Sequence, residues 1–187
     1  MNRKLSLGLG IATVCALALS NSEAGAKDMN GWIFSGGSGD AVSEGAGHNM
    51  YNTDQKAFVD GKNRWGVNLG WASSPQKNVA LKKKSGGGPI LCGELFAIKV
   101  DKEWLMYYRQ NVGINLSTRT AHKDEWAQWK FAGCTAGQAI PKNQPVTLVN
   151  TVANDSLVGC KRAAGVNLCW AGDVESRAGI NVRLKGP

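Results

Sequence analysis

The stretch FVDGKNRWGVNL, residues 58–69, returns as LMYYRQNVGINL, residues 105–116, and as LVGCKRAAGVNL, residues 157–168. The three windows align without a gap. Each opens on two apolar residues, carries a basic residue fifth (Lys62, Arg109, Lys161) and closes Gly-(Val/Ile)-Asn-Leu, with Asn68, Asn115 and Asn167 in register. The windows start 47 and 52 residues apart. Recurrence at this spacing marks an internally repeated architecture.

The windows sit among strand signals. Val67, Leu69 and Trp71 share one face at period two, as do Val166, Leu168 and Trp170, and also Phe96, Ile98 and Val100. The window Asn residues then fall on the opposite face. Turn residues separate the runs, at Asp54-Gln55, Asp101-Lys102, Asn154-Asp155 and the GGGP of residues 86–89. No segment sustains a helical stripe. The expectation is an all-β chain with little helix, in units of four short strands at roughly 44–88, 89–137 and 138–187. The second unit reads LFAIKV, EWLMYYR, VGINLST, EWAQWKFAG, and the third ends on AGINVRLKG. One such unit cannot bury its own apolar face, whereas three together can close a barrel. Residues 28–47, with six glycines, read as loop with at most a short strand at Trp32, Ile33 and Phe34.

Residues 1–26 read as a signal peptide. Arg3 and Lys4 precede an apolar run, and Ala24-Gly25-Ala26 fits a small-residue cleavage site. A glycine-rich lead at 27–50 and a folded domain at 51–187 would follow, in a secreted or periplasmic protein with no transmembrane segment. Removing the signal takes away Cys15 and leaves Cys92, Cys134, Cys160 and Cys169, an even set that reads as two disulfides with three pairings open. Cys160 and Cys169 flank the third window and can meet across its hairpin, which leaves Cys92 for Cys134. No CxxC or CxxH spacing suggests a metal, and no cofactor is expected. The mature chain keeps 20 basic and 13 acidic side chains, net +7, which favours anionic surfaces or serves solubility alone.

Three units of four strands resemble the β-trefoil, with pseudo-threefold symmetry, and within it the secreted ricin-B-type lectins and toxin-associated lectin-like subunits. GINL is followed by EWAQW, and Trp129 stands where those lectins place a tryptophan. The Gln of their Gln-x-Trp signature is not kept, since Ala127 occupies that position. The resemblance implies one shallow sugar pocket per unit: an acidic residue and an amide for hydroxyls, and a ring for the apolar face of the sugar. The second unit offers Asp101, Trp104, Tyr107, Tyr108 and Asn115; the first, Asp54, Trp65 and Asn68; the third, Asp155 and Asn167. Structural roles compete for each of these. Asp suits tight turns, Asn can tie strands or loops, and Trp71, Trp129 and Trp170 suit a barrel interior.

Lys82, Lys83 and Lys84 precede a glycine run and form an anionic-patch candidate, with a solvated linker as the plain reading. The expected partner is a glycan or glycosylated surface, with a partner protein, a toxin subunit or an anionic surface as alternatives. Nucleic acid is not expected, because the rings are not interleaved with the lysine run. His48 and His122 are the only histidines and fit no catalytic pattern, so no enzyme is expected.

Overall fold

Runs of β-branched and aromatic residues between glycine, Asn and Asp turns are too short for helices and suit strands. The computed structural model describes residues 31–61, 67–84, 86–111, 113–120, 127–162 and 165–174. Twelve strands follow in chain order: β1 (Trp32–Gly36), β2 (Gly45–Asn52), β3 (Ala57–Gly61), β4 (Leu69–Ala72), β5 (Val79–Lys83) and β6 (Phe96–Val100), then β7 (Glu103–Tyr107), β8 (Leu116–Arg119), β9 (Trp129–Ala132), β10 (Pro145–Asn150), β11 (Asp155–Gly159) and β12 (Leu168–Trp170). Among the described residues helix is confined to one turn at 171–174.

Six strands close on themselves. β1 pairs β2, β2 pairs β5, β5 pairs β6, β6 pairs β9, β9 pairs β10, and β10 returns to β1, all antiparallel. The other six lie outside this barrel as the hairpins β3–β4, β7–β8 and β11–β12. Closure removes the exposed strand edges that an open sheet would leave.

This corrects the expected β-trefoil of three successive four-stranded repeats. The architecture is a closed six-stranded antiparallel barrel with six strands outside it. β1, from the segment read as a glycine-rich lead, is a full barrel strand, paired along its length with β2 and by Trp32 and Ile33 with β10. The described part of the span 138–187 supplies only β10, β11 and β12. Its expected last strand, AGINVRLKG, lies outside the described residues, as does the signal segment.

Inward side chains fill the barrel at period two. Trp32 and Phe34 of β1 are buried, as are Phe96 and Ile98 of β6 and Trp129 and Phe131 of β9. Phe131 packs on Phe34 at 5.2 Å and on Phe96 at 4.5 Å between ring centres. Two indoles bind the barrel to the outer hairpins: Trp32 Nε1 donates to the Leu157 carbonyl and Trp129 Nε1 to the Leu105 carbonyl, both at 2.6 Å. Three loops close the far end in a ring of hydrogen bonds. Val42 N donates to Ile140 O at 2.7 Å, Ile140 N to Ile90 O at 3.3 Å, and Ile90 N to Val42 O at 2.9 Å.

Cys92 bonds Cys134 beside that end, and Cys160 bonds Cys169 across β11–β12. Chain-entropy reasoning gives about 4 and about 3 kcal/mol of stabilisation respectively. Two disulfides are compatible with an oxidising compartment, extracellular or periplasmic. Among the described residues no helix is long and apolar enough to cross a membrane.

Candidate functional site

The repeated windows build the outer hairpins. In β7–β8, Asn115 Oδ1 accepts the Gln110 amide at 2.9 Å, and Gln110 Nε2 donates back to the Leu116 carbonyl at 2.7 Å. In β11–β12, Asn167 Oδ1 accepts the Arg162 amide and Arg162 Nη1 donates to the Leu168 carbonyl, both at 3.1 Å. Asn115 Nδ2 also donates to the Tyr107 hydroxyl at 3.3 Å. Asn115 and Asn167 therefore hold their own loops together. Asn68 and Asn167 have φ of 57° and 51°, in the left-handed region that Asn tolerates better than most residues. In the second and third windows the shared Asn-Leu ending records a clasp that closes a hairpin.

The three turn aspartates differ. Asp155 is spent on its surroundings: its carboxylate accepts the Ser156 amide at 2.7 Å and the Gly172 amide at 3.0 Å. Asp54 belongs to a turn held by buried Asn52, whose Oδ1 accepts the Asp54 and Gln55 amides. Burial raises the Asp54 carboxyl above its ordinary pKa, and the Gly159 amide opposes that in part. Asn150 repeats the Asn52 device with the amides of Val152 and Ala153. Asp101 is exposed, with φ of 53°, and its carboxylate rests against the backbone of Gly61. A Cβ at Gly61 would stand 1.6 Å from Asp101 Oδ2, so that approach needs glycine.

Asp101 opens onto the clearest concavity. Gly61, Asn68, Val100, Asp101, Lys102, Glu103 and Thr118 line a cleft of about 490 Å³ between the hairpins β3–β4 and β7–β8. It runs on into a second hollow of about 570 Å³ that shares Asn68, Glu103 and Thr118 and adds Gln110, Arg119 and Thr120. Thr118 N donates to the Val67 carbonyl at 3.1 Å and fixes the two hairpins to each other. Glu103 Oε2 accepts the Thr118 hydroxyl at 2.8 Å, which orients one wall. The fold thus brings together Asp101 and Asn68, which the sequence assigned to separate pockets. Glu103, Thr118, Gln110 and Arg119 are further lining residues that sequence reasoning missed. A signal existed: alternation places Glu103 on the Leu105 face of β7, and Thr118 is paired with Leu105.

The rings do not join this cleft as expected. Trp104 lies on the other face of β7, with the Lys99 ammonium 5.1 Å from its ring centre. Tyr107 is half-buried and packs at 6.2 Å from Trp170. Tyr108 is exposed, with the Arg119 guanidinium 3.7 Å over its ring. Trp129 and Trp170 are in the core, and half-buried Trp71 packs against it. Trp65 lies outside the described residues.

The lysine run is not one patch. Lys83 is half-buried, pairs with Glu94 at 3.2 Å and donates to the Pro89 carbonyl at 2.9 Å. Lys82 and Lys84 are exposed, on the opposite side from Lys83 by alternation. The glycines that follow are anchored, with the Gly87 amide bonded to the Glu44 carboxylate.

His48 is buried and serves the β1–β2 loop. Its Nε2 contacts the Ser43 carbonyl at 2.9 Å, and its Nδ1 has no hydrogen-bond partner. Burial lowers its pKa below the ordinary imidazole value and nearby Lys142 lowers it further, against the opposing pull of the Ser43 carbonyl. Lys142 Nζ in turn donates to the carbonyls of Gly37 and Ser38 at 3.0 and 2.9 Å. His122 lies outside the described residues. Among the described residues no three His, Cys, Asp or Glu side chains are grouped to hold a metal ion.

The fold and cleft define a disulfide-stapled all-β barrel with an open polar groove between two outer hairpins. No family model, curated protein or solved structure matches the chain.

Proposed function

We propose that the protein is a non-catalytic glycan-binding module whose sugar site is the cleft between β3–β4 and β7–β8. The observation that carries this reading is the convergence of Asp101 and Asn68 on one open cleft. An exposed carboxylate accepts two hydrogen bonds from adjacent sugar hydroxyls, and an amide supplies both a donor and an acceptor. Half-buried Glu103 extends the polar wall, backed by buried Val100 and Thr118. Hydrogen bonds to a charged group are the stronger kind, which makes Asp101 the main anchor. A single open site of this kind binds weakly and gains strength on a dense surface through avidity. His48 spends its ring on the Ser43 carbonyl inside the protein.

A glycan array with wild type, Asp101→Asn and Asn68→Ala tests the reading. Saccharide-specific signals in wild type that are lost in both variants support it. Signals that survive both substitutions, or no saccharide signal at any protein density, overturn it.

A further inference from the structure

The far face of the β7–β8 hairpin carries a different chemistry. Register aligns Lys99 of β6 with Trp104 of β7, and Trp104 with Arg119 of β8. The three side chains therefore form a row across neighbouring strands, on the face opposite Ile98 and Leu105. Tyr108 follows β7 on the same face and lies under the Arg119 guanidinium at 3.7 Å. Lys99 stands over Trp104 at 5.1 Å. Each cation is thus held over a ring. Among the described residues neither Lys99 nor Arg119 is paired with a carboxylate. Two cations with no carboxylate partner among the described residues form a positive surface, on strands whose backbones stand roughly 10 Å apart.

We infer that this row is a second binding surface, taking the sulfate or carboxylate groups of an acidic polysaccharide. The rings serve here to position cations. Each ring has a cation over one face, which suits anion capture better than the base stacking that a nucleic acid would seek. The guanidinium fork matches a planar carboxylate or two sulfate oxygens, and its stacking on Tyr108 removes part of the ordering cost before the ligand arrives. A polyanion with charges at regular intervals along its chain can span both cations. The net charge of +8 on the whole chain adds long-range attraction but does not choose this face. This inference does not depend on the neutral-sugar cleft, although Arg119 also borders the second hollow of that cleft.

The test is binding of intact protein to immobilised dextran sulfate, with uncharged dextran as the reference. Lys99→Gln and Arg119→Gln should each weaken dextran sulfate binding about tenfold, the size expected for one charge-assisted contact. Tyr108→Leu should weaken it less, by freeing Arg119. Lys161→Gln removes an exposed charge from the β11–β12 hairpin loop and should leave binding within about twofold. Asp101→Asn, which disables the cleft, should leave dextran sulfate binding intact. An equal loss in Lys161→Gln would mean attraction by net charge alone and would overturn the inference. So would equal binding to uncharged dextran, or full retention in the Lys99→Gln/Arg119→Gln double variant.

Discussion

Truncating Trp32 probes the strand that closes the barrel. Trp32 is fully buried, stacks at 6.4 Å on Trp71 and gives its indole hydrogen to the Leu157 carbonyl. Trp32→Ala removes one of the largest core side chains and leaves a cavity at the junction of β1, β10 and β11. Such truncations cost about 3–5 kcal/mol, and the Leu157 carbonyl loses a partner worth about 1 kcal/mol. The expected loss is therefore about 4–6 kcal/mol. For a domain of this size that lowers Tm by roughly 8–24 °C. Urea unfolding followed by tryptophan fluorescence and circular dichroism gives the value, with an unchanged m confirming that only stability moved. Ile33→Ala is the control. Ile33 is half-buried and points to the other face, so its loss should cost about 1 kcal/mol. A Trp32→Ala cost under about 1 kcal/mol, or an Ile33→Ala cost equal to it, would refute β1 as a barrel strand with Trp32 inside.

Further predictions concern the loops, the staples and the cleft. Because the folded pKa of His48 is lowered, its contribution is intact above the ordinary imidazole value and is lost as pH falls from there toward the folded value. Tm should drop through that window in wild type and drop less in His48→Gln, and identical slopes would contradict the account. Replacing Cys92 and Cys134 with Ser should cost about 4 kcal/mol, and replacing Cys160 and Cys169 about 3 kcal/mol, by urea unfolding. The reverse order would show that native-state strain outweighs loop length. Gly61→Ala must displace the exposed Asp101 carboxylate, which can turn away into solvent, so its cost in stability should stay within about 1 kcal/mol. The same variant should weaken sugar binding in calorimetry, and unaltered binding would place the ligand elsewhere. Asn167→Ala removes one clasp and puts Ala in the left-handed region, so it should cost about 1–2 kcal/mol without touching sugar affinity.

The strand content was legible because it rests on local alternation. Phe96, Ile98 and Val100 read as one face and are buried together. The hairpin disulfide was legible as well, since Cys160 and Cys169 flank a repeated turn. The closing strand was legible only in part. Trp32, Ile33 and Phe34 read as a short strand within a glycine-rich segment, and its place in the barrel follows from tertiary pairing with β2 and β10. The windows were visible as a repeat, but their meaning was not. Asn115 and Asn167 recur because an amide oxygen closes each hairpin on a backbone N–H five residues earlier. Sequence alone grouped Asp101 with Trp104 because they are near in the chain. Strand alternation sends Trp104 to the far face, and Asn68 reaches the Asp101 cleft from another hairpin. Contacts between units carry no sequence period, so the site could not be assembled from one window.

The most direct measurement is an NMR titration of labelled protein with a neutral oligosaccharide selected on the array. The account predicts amide shifts concentrated at Gly61, Asn68, Asp101, Glu103 and Thr118, absent in Asp101→Asn. Shifts centred on β11–β12 or on the Val42, Ile90 and Ile140 end, with those five amides unmoved, would contradict it.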